Sequence, residues 1–321
     1  MAVPGPAHTK SEPSILVTVL GFHVFYLLLP ASFILTPLYL LVSSVGAARG
    51  VGAAWVVAYA AWFAATVGSE KRLGRPWKAF ENLPLFAYIF RYFPVTIKRT
   101  GPPLDPGGLY FFGAHPHGAL AFHRGLFGFA TREHWDKTFP GVQFRVLAAT
   151  AALRVPVIRE FWLWSSCIDA SKATARHALA KGVSLVVYPG GEREQMLTVR
   201  GKHRIFLKSR KGFVKLAVES SASLVPIYTF GETNLYDHWP LLLGLRTWMV
   251  KSLGVAVPLI TGEFGWLPYR VPVTAVVGAP IVCKPTDDVD AVHEKYVAAL
   301  QRLFDDHKAA HGEPDAKLEI F

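Results

Sequence analysis

LYFFGAHPHG, Leu109 to Gly118, changes character halfway along. Its first six residues are apolar, aromatic or small, the composition of a buried strand. Its last four place two imidazoles around a proline just where that run ends. Core histidines are usually single, and a surface pair needs no rigid Pro116 between them. In α/β sheets, ligands gather beyond the carboxyl ends of the strands. The sequence therefore reads as a strand delivering His115 and His117 to such an end.

The same alternation continues outward. VQFRVLAA (142–149), VSLVVY (183–188), SLVPIYTF (223–230) and VTAVVG (273–278) read as further strands. Between them, GALAFHRGLFGFA (118–130), DASKATARHALAKG (169–182) and the end of RIFLKSRKGFVKLAVESS (204–221) read as helices. In DDVDAVHEKYVAALQRLFDDHKAAHG (287–312), Val289, Val292, Tyr296, Leu300, Leu303 and Phe304 keep one apolar helical face. Strands alternating with helices predict an α/β domain with a largely parallel sheet flanked by helices.

Before residue 70 the pattern differs. No Asp, Glu, Lys or Arg occurs from Pro13 to Ala48, and Gly50 to Ser69 is a second uncharged stretch, with only Arg49 between. About 20 apolar residues cross a bilayer as a helix, so two spans fit. Lys71, Arg72, Arg75 and Lys78 then assign the following side to the cytosol. This predicts a cytosolic tail (1–13), two hydrophobic membrane segments (14–69) and a cytosolic, membrane-associated domain (70–321). A hairpin re-entering one leaflet fits the same residues. A cleaved signal peptide fits poorly, because the first run is too long and a second follows it. A chain of 321 residues that is 51% hydrophobic and only 18% charged agrees with membrane attachment. The net charge of +11 points to anionic partners. Cys167 and Cys283 build no disulfide framework and have no metal-type spacing, as expected of reduced cytosolic thiols.

A second loop, YPGGEREQML (Tyr188–Leu197), leaves VSLVVY at the same kind of strand end, so the two loops can face one cleft. Histidine is the natural general base near neutral pH. Gly118 would let a substrate approach closely. Pro189, Gly190 and Gly191 would free backbone N–H groups to cradle an oxyanion or phosphate, and Glu194 would orient an imidazole or stabilise its protonated form. The same spacings are met by a rigid turn and a tight loop with no chemistry. No G-x-S-x-G elbow and no Walker-type loop is present. His115, His117 and His123 lack a second cluster to complete a zinc site, so no metal is expected. The basic stretch RGKHRIFLKSRK (200–211) suits an anionic lipid surface or the phosphates of a nucleotide-bearing cofactor. No motif supports nucleic acid.

Taken together, the blocks FFGAHPHG, VPVIRE, YPGGEREQML, RKGFVKLAVESSASLVPIYTFGE, GWLPYRVPVTAVVGAPI and VHEKYVAALQRLFDDHK, in this order, resemble the type 2 diacylglycerol acyltransferase family, which includes monoacylglycerol and wax-alcohol acyltransferases. The resemblance implies a glycerolipid-acyltransferase-like fold. It also implies transfer of an acyl group from acyl-CoA, a co-substrate rather than a bound cofactor, to diacylglycerol. His117 would be the base, His115 its assistant and Glu194 the acidic partner. The residue five past His117 is Phe122, and five past His115 is Leu120, so the His-x4-Asp dyad of broader acyltransferases is absent. Arg193, Arg210 and Lys211 would grip the phosphates of CoA. The implied location is the endoplasmic reticulum membrane or a lipid-droplet surface, as a monomer or a homo-oligomer. Monoacylglycerol and long-chain alcohols remain alternative acceptors, and an inactive lipid-binding scaffold is the alternative of another class.

Overall fold

The computed structural model describes residues 2–3, 14, 16, 20, 29–43, 45–125, 132–253, 256 and 258–321. Most of the 1–13 tail, residues 15, 17–19 and 21–28 of the first hydrophobic run and the end of the helix expected over 118–130 lie outside them.

Eight strands form the main sheet: β1 (Ala2–Val3), β2 (Val95–Arg99), β3 (Tyr110–His115), β4 (Phe144–Ala148), β5 (Cys167–Asp169), β6 (Ser184–Val187), β7 (Ser223–Phe230) and β8 (Val273–Val277). Their spatial order is β1-β2-β8-β7-β3-β6-β4-β5. From β7 through β3, β6 and β4 to β5 every neighbour is parallel. The strand read from VTAVVG is present as β8, but it runs antiparallel to β7 and parallel to β2. β2 and β5 escape sequence reading. VTIKR carries two cations, and CID is too short to show a period.

Among the described residues the α-helices of seven residues or more are α1 (Leu29–Val42), α2 (Gly46–Thr66), α3 (Pro84–Tyr92), α4 (Arg132–Thr138), α5 (Ile158–Trp164), α6 (Lys172–Ala180), α7 (Gly191–Leu197), α8 (Gly212–Glu219), α9 (Leu243–Leu253) and α10 (Val289–His307). Both faces of the sheet are covered, as parallel strands require. Phe111, Leu185 and Leu224 pack with Ala175 of α6, Val214 of α8 and Leu300 of α10. Their chain neighbours Phe112, Val186 and Val225 join Trp135 and Phe139 on the other face. Helix α10 starts where Asp288 Oδ1 accepts the Ala291 N–H at 2.8 Å, and it buries Val292, Tyr296, Leu300, Leu303 and Phe304 as the periodicity predicts. The helix expected from Gly118 to Ala130 is replaced, in its described part, by turns and a 3-10 segment, Phe122–Arg124.

Gly46–Lys71 is, among the described residues, the one helix long and apolar enough to cross a membrane. It lies beside α1. Its last turn is fastened to the sheet domain by Arg159, a buried guanidinium. Nη2 donates to the Thr66 carbonyl at 2.7 Å and pairs with Glu70 at 2.8 Å, while Nη1 pairs with Glu160 at 3.0 Å. Two turns earlier, Tyr59 Oη donates to Glu160 Oε2 at 2.6 Å and accepts the Val157 N–H at 2.8 Å. These bonds cap orphan carbonyls at the helix end and leave no slack between α2 and α5.

Candidate active site

Strand β3 is central, flanked by β6 and β7, so the loops after all three meet at the carboxyl edge. His115 closes β3 and is fully buried. Its Nε2 lies 3.1 Å from Tyr296 Oη, which is also 3.1 Å from the Gly113 carbonyl. A carbonyl only accepts, so the tyrosine hydrogen goes to Gly113 and His115 Nε2–H donates to Tyr296. Nδ1 of His115 then keeps its lone pair and has no hydrogen-bond partner. Burial pushes this imidazole down to about 3, with repulsion from His123 adding to it. Gly113 exists to admit the tyrosine, since a Cβ there would lie 1.9 Å from Tyr296 Oη. We expect Gly113→Ala to lower stability by about 2–4 kcal/mol through overpacking and loss of this hydrogen-bonded pair. Thermal unfolding in detergent is the check, and an unchanged midpoint would contradict the packing.

His117 is only half-buried. Its Nδ1 lies 3.1 Å from the Gly118 carbonyl, which makes Nδ1 the protonated nitrogen and leaves Nε2 with a free lone pair. Desolvation lowers its pKa to about 4, opposed by the Gly118 bond, so the ring is neutral at physiological pH. Glu194 was expected on an imidazole. Instead its Oε1 accepts the backbone N–H of His117, and its Oε2 accepts the Phe206 N–H at 2.9 Å. Gln195 adds a second stitch, donating to the Ala119 carbonyl at 2.6 Å. The HPHG loop is thus held by its main chain from α7.

The glycines serve the protein's own carboxylates. A Cβ at Gly190 would lie 1.9 Å from Glu194 Oε2, and one at Gly118 would lie 2.5 Å from Glu232 Oε1. The close approach expected of substrate at Gly118 is made by Glu232. The Gly191 N–H, expected to cradle an oxyanion, donates to the Tyr188 carbonyl at 3.0 Å. Pro189 is half-buried between Tyr188 and this turn.

Glu232, His123 and Tyr188 complete the cluster, and sequence reading gave none of them a role in it. Glu232 follows β7, is buried, and accepts the N–H groups of Phe122 at 2.8 Å and His123 at 3.0 Å. Its Oε2 also lies 2.8 Å from His123 Nδ1. The Tyr188 ring packs edge-on against both His117 (5.4 Å) and His123 (5.1 Å). Burial raises the Tyr188 phenol well above its ordinary value, so it stays protonated. The available signal was a carboxylate placed immediately after the apolar strand SLVPIYTF.

The cations lie outside this cluster. Arg193 is exposed, with its guanidinium 4.7 Å over the Phe206 ring. Arg210 is exposed, and its charge opposes the burial that raises the carboxyls of Glu192 and Glu194. Lys211 pairs with Asp290 of α10 at 2.8 Å. The three are therefore not focused on one point.

Burial raises Glu194 to about 7, against the pull of the His117 and Phe206 amides. The folded value exceeds the ordinary 4.5, so folding favours the protonated acid. That stabilisation is present below pH 4.5 and is lost as pH rises through 7, a span worth roughly 3 kcal/mol. His115 and His117 act oppositely, losing stability as pH falls below 6.5. Comparing the wild type with Glu194→Gln cancels the histidines. We expect the wild type to lose about 3 kcal/mol relative to the variant between pH 4.5 and 7.5. A pH-independent difference would mean that Glu194 does not titrate there.

A central parallel strand thus leads into a loop that carries His117, a half-buried imidazole with one free nitrogen, and buried carboxylates clamp that loop, an arrangement able to accept a proton. The family model for diacylglycerol acyltransferase matches residues 52–321, and the chain belongs to the diacylglycerol acyltransferase family. It is 34% identical to 2-acylglycerol O-acyltransferase 1 of Mus musculus, over 83% of this chain and 84% of that protein. Against diacylglycerol O-acyltransferase 2 of Mus musculus the identity is 32%, over 82% of this chain and 74% of the relative. The crystal structure of the 1-acyl-sn-glycerophosphate acyltransferase PlsC from Thermotoga maritima aligns at a TM-score of 0.46 and 13% identity, over 92% of this chain and 95% of that one, a likeness too distant to carry an argument.

Proposed function

We propose that the chain transfers a fatty acyl group from acyl-CoA to the hydroxyl of diacylglycerol, forming triacylglycerol. The observation that carries the reading is the half-buried His117, whose Nδ1–H is held by the Gly118 carbonyl while Nε2 is unprotonated. Nε2 takes the hydroxyl proton as the oxygen attacks the thioester carbonyl carbon. The tetrahedral intermediate collapses by breaking the C–S bond, and the imidazolium returns its proton to the departing thiolate. CoA thiolate is a good leaving group, so no covalent enzyme intermediate is needed. His115, buried and bonded to Tyr296, keeps β3 and its turn in place rather than meeting the acceptor. Glu194 is a positioning residue acting on the His117 main chain. Exposed Arg193 and Arg210 meet the phosphates of CoA at the rim. Residues 14–69, charged only at Arg49, form a two-segment hairpin in the endoplasmic reticulum membrane or at a lipid droplet, and the acceptor arrives laterally from the lipid.

The test uses microsomes of a yeast strain unable to make storage lipid, expressing the full chain. Labelled oleoyl-CoA is offered with diacylglycerol, monoacylglycerol and a long-chain alcohol in parallel. Triacylglycerol as the main product is expected. Preferential labelling of diacylglycerol or wax ester would move the acceptor, and no product from any acceptor would end the enzyme reading.

A further inference from the structure

With the turn before it, helix α9 buries a cation and exposes apolar side chains. Arg246, its central cation, is turned inward and only 5% exposed. There it donates to the carbonyls of Trp239 at 2.9 Å and Leu241 at 3.1 Å, and lies 3.9 Å from Met196 Sδ of α7. Leu245 and Trp248 of the helix are 53% and 55% exposed, and in the segment before it Trp239, Leu241 and Leu242 are 56%, 65% and 60% exposed. Exposing two tryptophans and three leucines while burying an arginine costs free energy in water and is favourable at an apolar surface. From His238 to Gly262 the chain has no carboxylate to repel an anionic headgroup layer. Exposed Arg200 supplies a cation at its border, joined to Asp237 at 3.1 Å. Tryptophan beside leucine is the composition that settles at the headgroup boundary of a bilayer.

We infer that the Trp239–Trp248 face is a second bilayer contact, separate from the N-terminal hydrophobic segments. It inserts shallowly into the headgroup boundary and holds the histidine cleft against the lipid. Through Arg246 and Met196 it bears on α7, whose Glu194 clamps His117. The docking itself does not need the acyl-transfer reading, but its catalytic consequence rests on that reading.

The test places a dye on Leu245→Cys of the full chain, one copy per lipid nanodisc, with Glu294→Cys on the outer face of α10 as control. The native thiols Cys167 and Cys283 are buried and should not label. Shallow doxyl-labelled phosphatidylcholine should quench the Leu245→Cys dye and spare the control. Equal, weak quenching at both positions would overturn the proposal. Protection of Leu245→Cys only when two copies share a disc would replace the bilayer with a second copy of the chain. In activity assays, Leu242→Glu with Leu245→Glu should lower turnover of long-chain diacylglycerol in bilayers about tenfold, since the contact acts by raising effective concentration. Turnover of a dispersed short-chain diacylglycerol should not change. Quenching without activity on either acceptor would sink the acyl-transfer reading and leave the docking surface intact.

Discussion

His117→Ala should lower kcat by about 10³-fold, the usual worth of a positioned general base. KM for acyl-CoA should change little, because the ring takes a proton and does not hold the nucleotide. The Gly118 carbonyl fixes Nδ1 as the donor, and no other imidazole in the cluster combines partial exposure with a free nitrogen. His115→Ala should behave differently. It removes a buried bond to Tyr296 and should show as a lower unfolding temperature before it shows as lost chemistry. Full activity in His117→Ala microsomes, with His115→Ala inactive yet folded, would exchange the two roles.

Glu232→Ala should be the most destabilising single change in the site, by about 3–5 kcal/mol. The buried carboxylate accepts the N–H groups of Phe122 and His123 in the 121–124 turn and lies 2.8 Å from Nδ1 of the buried His123 ring. Truncation leaves those donors without their acceptor. The loss should appear as a lower unfolding temperature together with reduced activity. Glu232→Gln keeps one acceptor oxygen and should recover part of the stability. A Glu232→Ala variant as stable as wild type would mean that the turn finds other partners.

Much of the architecture is legible in the chain because β3, β6 and β7 are long apolar runs, and such runs can only be central strands of a covered sheet. That HPHG and YPGG meet follows from the rule for strand ends, and the structure joins them through Glu194 and Gln195. What stays hidden is which atom meets which. Glu194 belongs to the site, but sequence gives a residue type, and a carboxylate serves a backbone amide as readily as a ring. The glycines invite the same misreading. A missing side chain announces a close approach without saying whether substrate or the protein's own Glu194 and Glu232 makes it. Tyr296 and Glu232 reach the histidine loop across 181 and 110 residues, and only the order of strands in the sheet brings them there. β2 and β8 run against the parallel core for a related reason, since direction at a sheet edge is set by connections rather than by strand composition.

The Arg159 fastening has a mechanical corollary. Four charge-assisted or hydroxyl bonds from Arg159 to Thr66, Ser69 and Glu70 at the end of α2 make the junction a weld rather than a tether. A catalytic body on a tether would sample all orientations above its support and sweep a hemisphere for substrate. A welded one has a single attitude, so its doorway stays at one height and faces one way. With α2 in the bilayer as proposed above, its search for a greasy partner becomes a problem in two dimensions, and traffic along the surface, rather than the swing of the enzyme, sets how often the doorway is met.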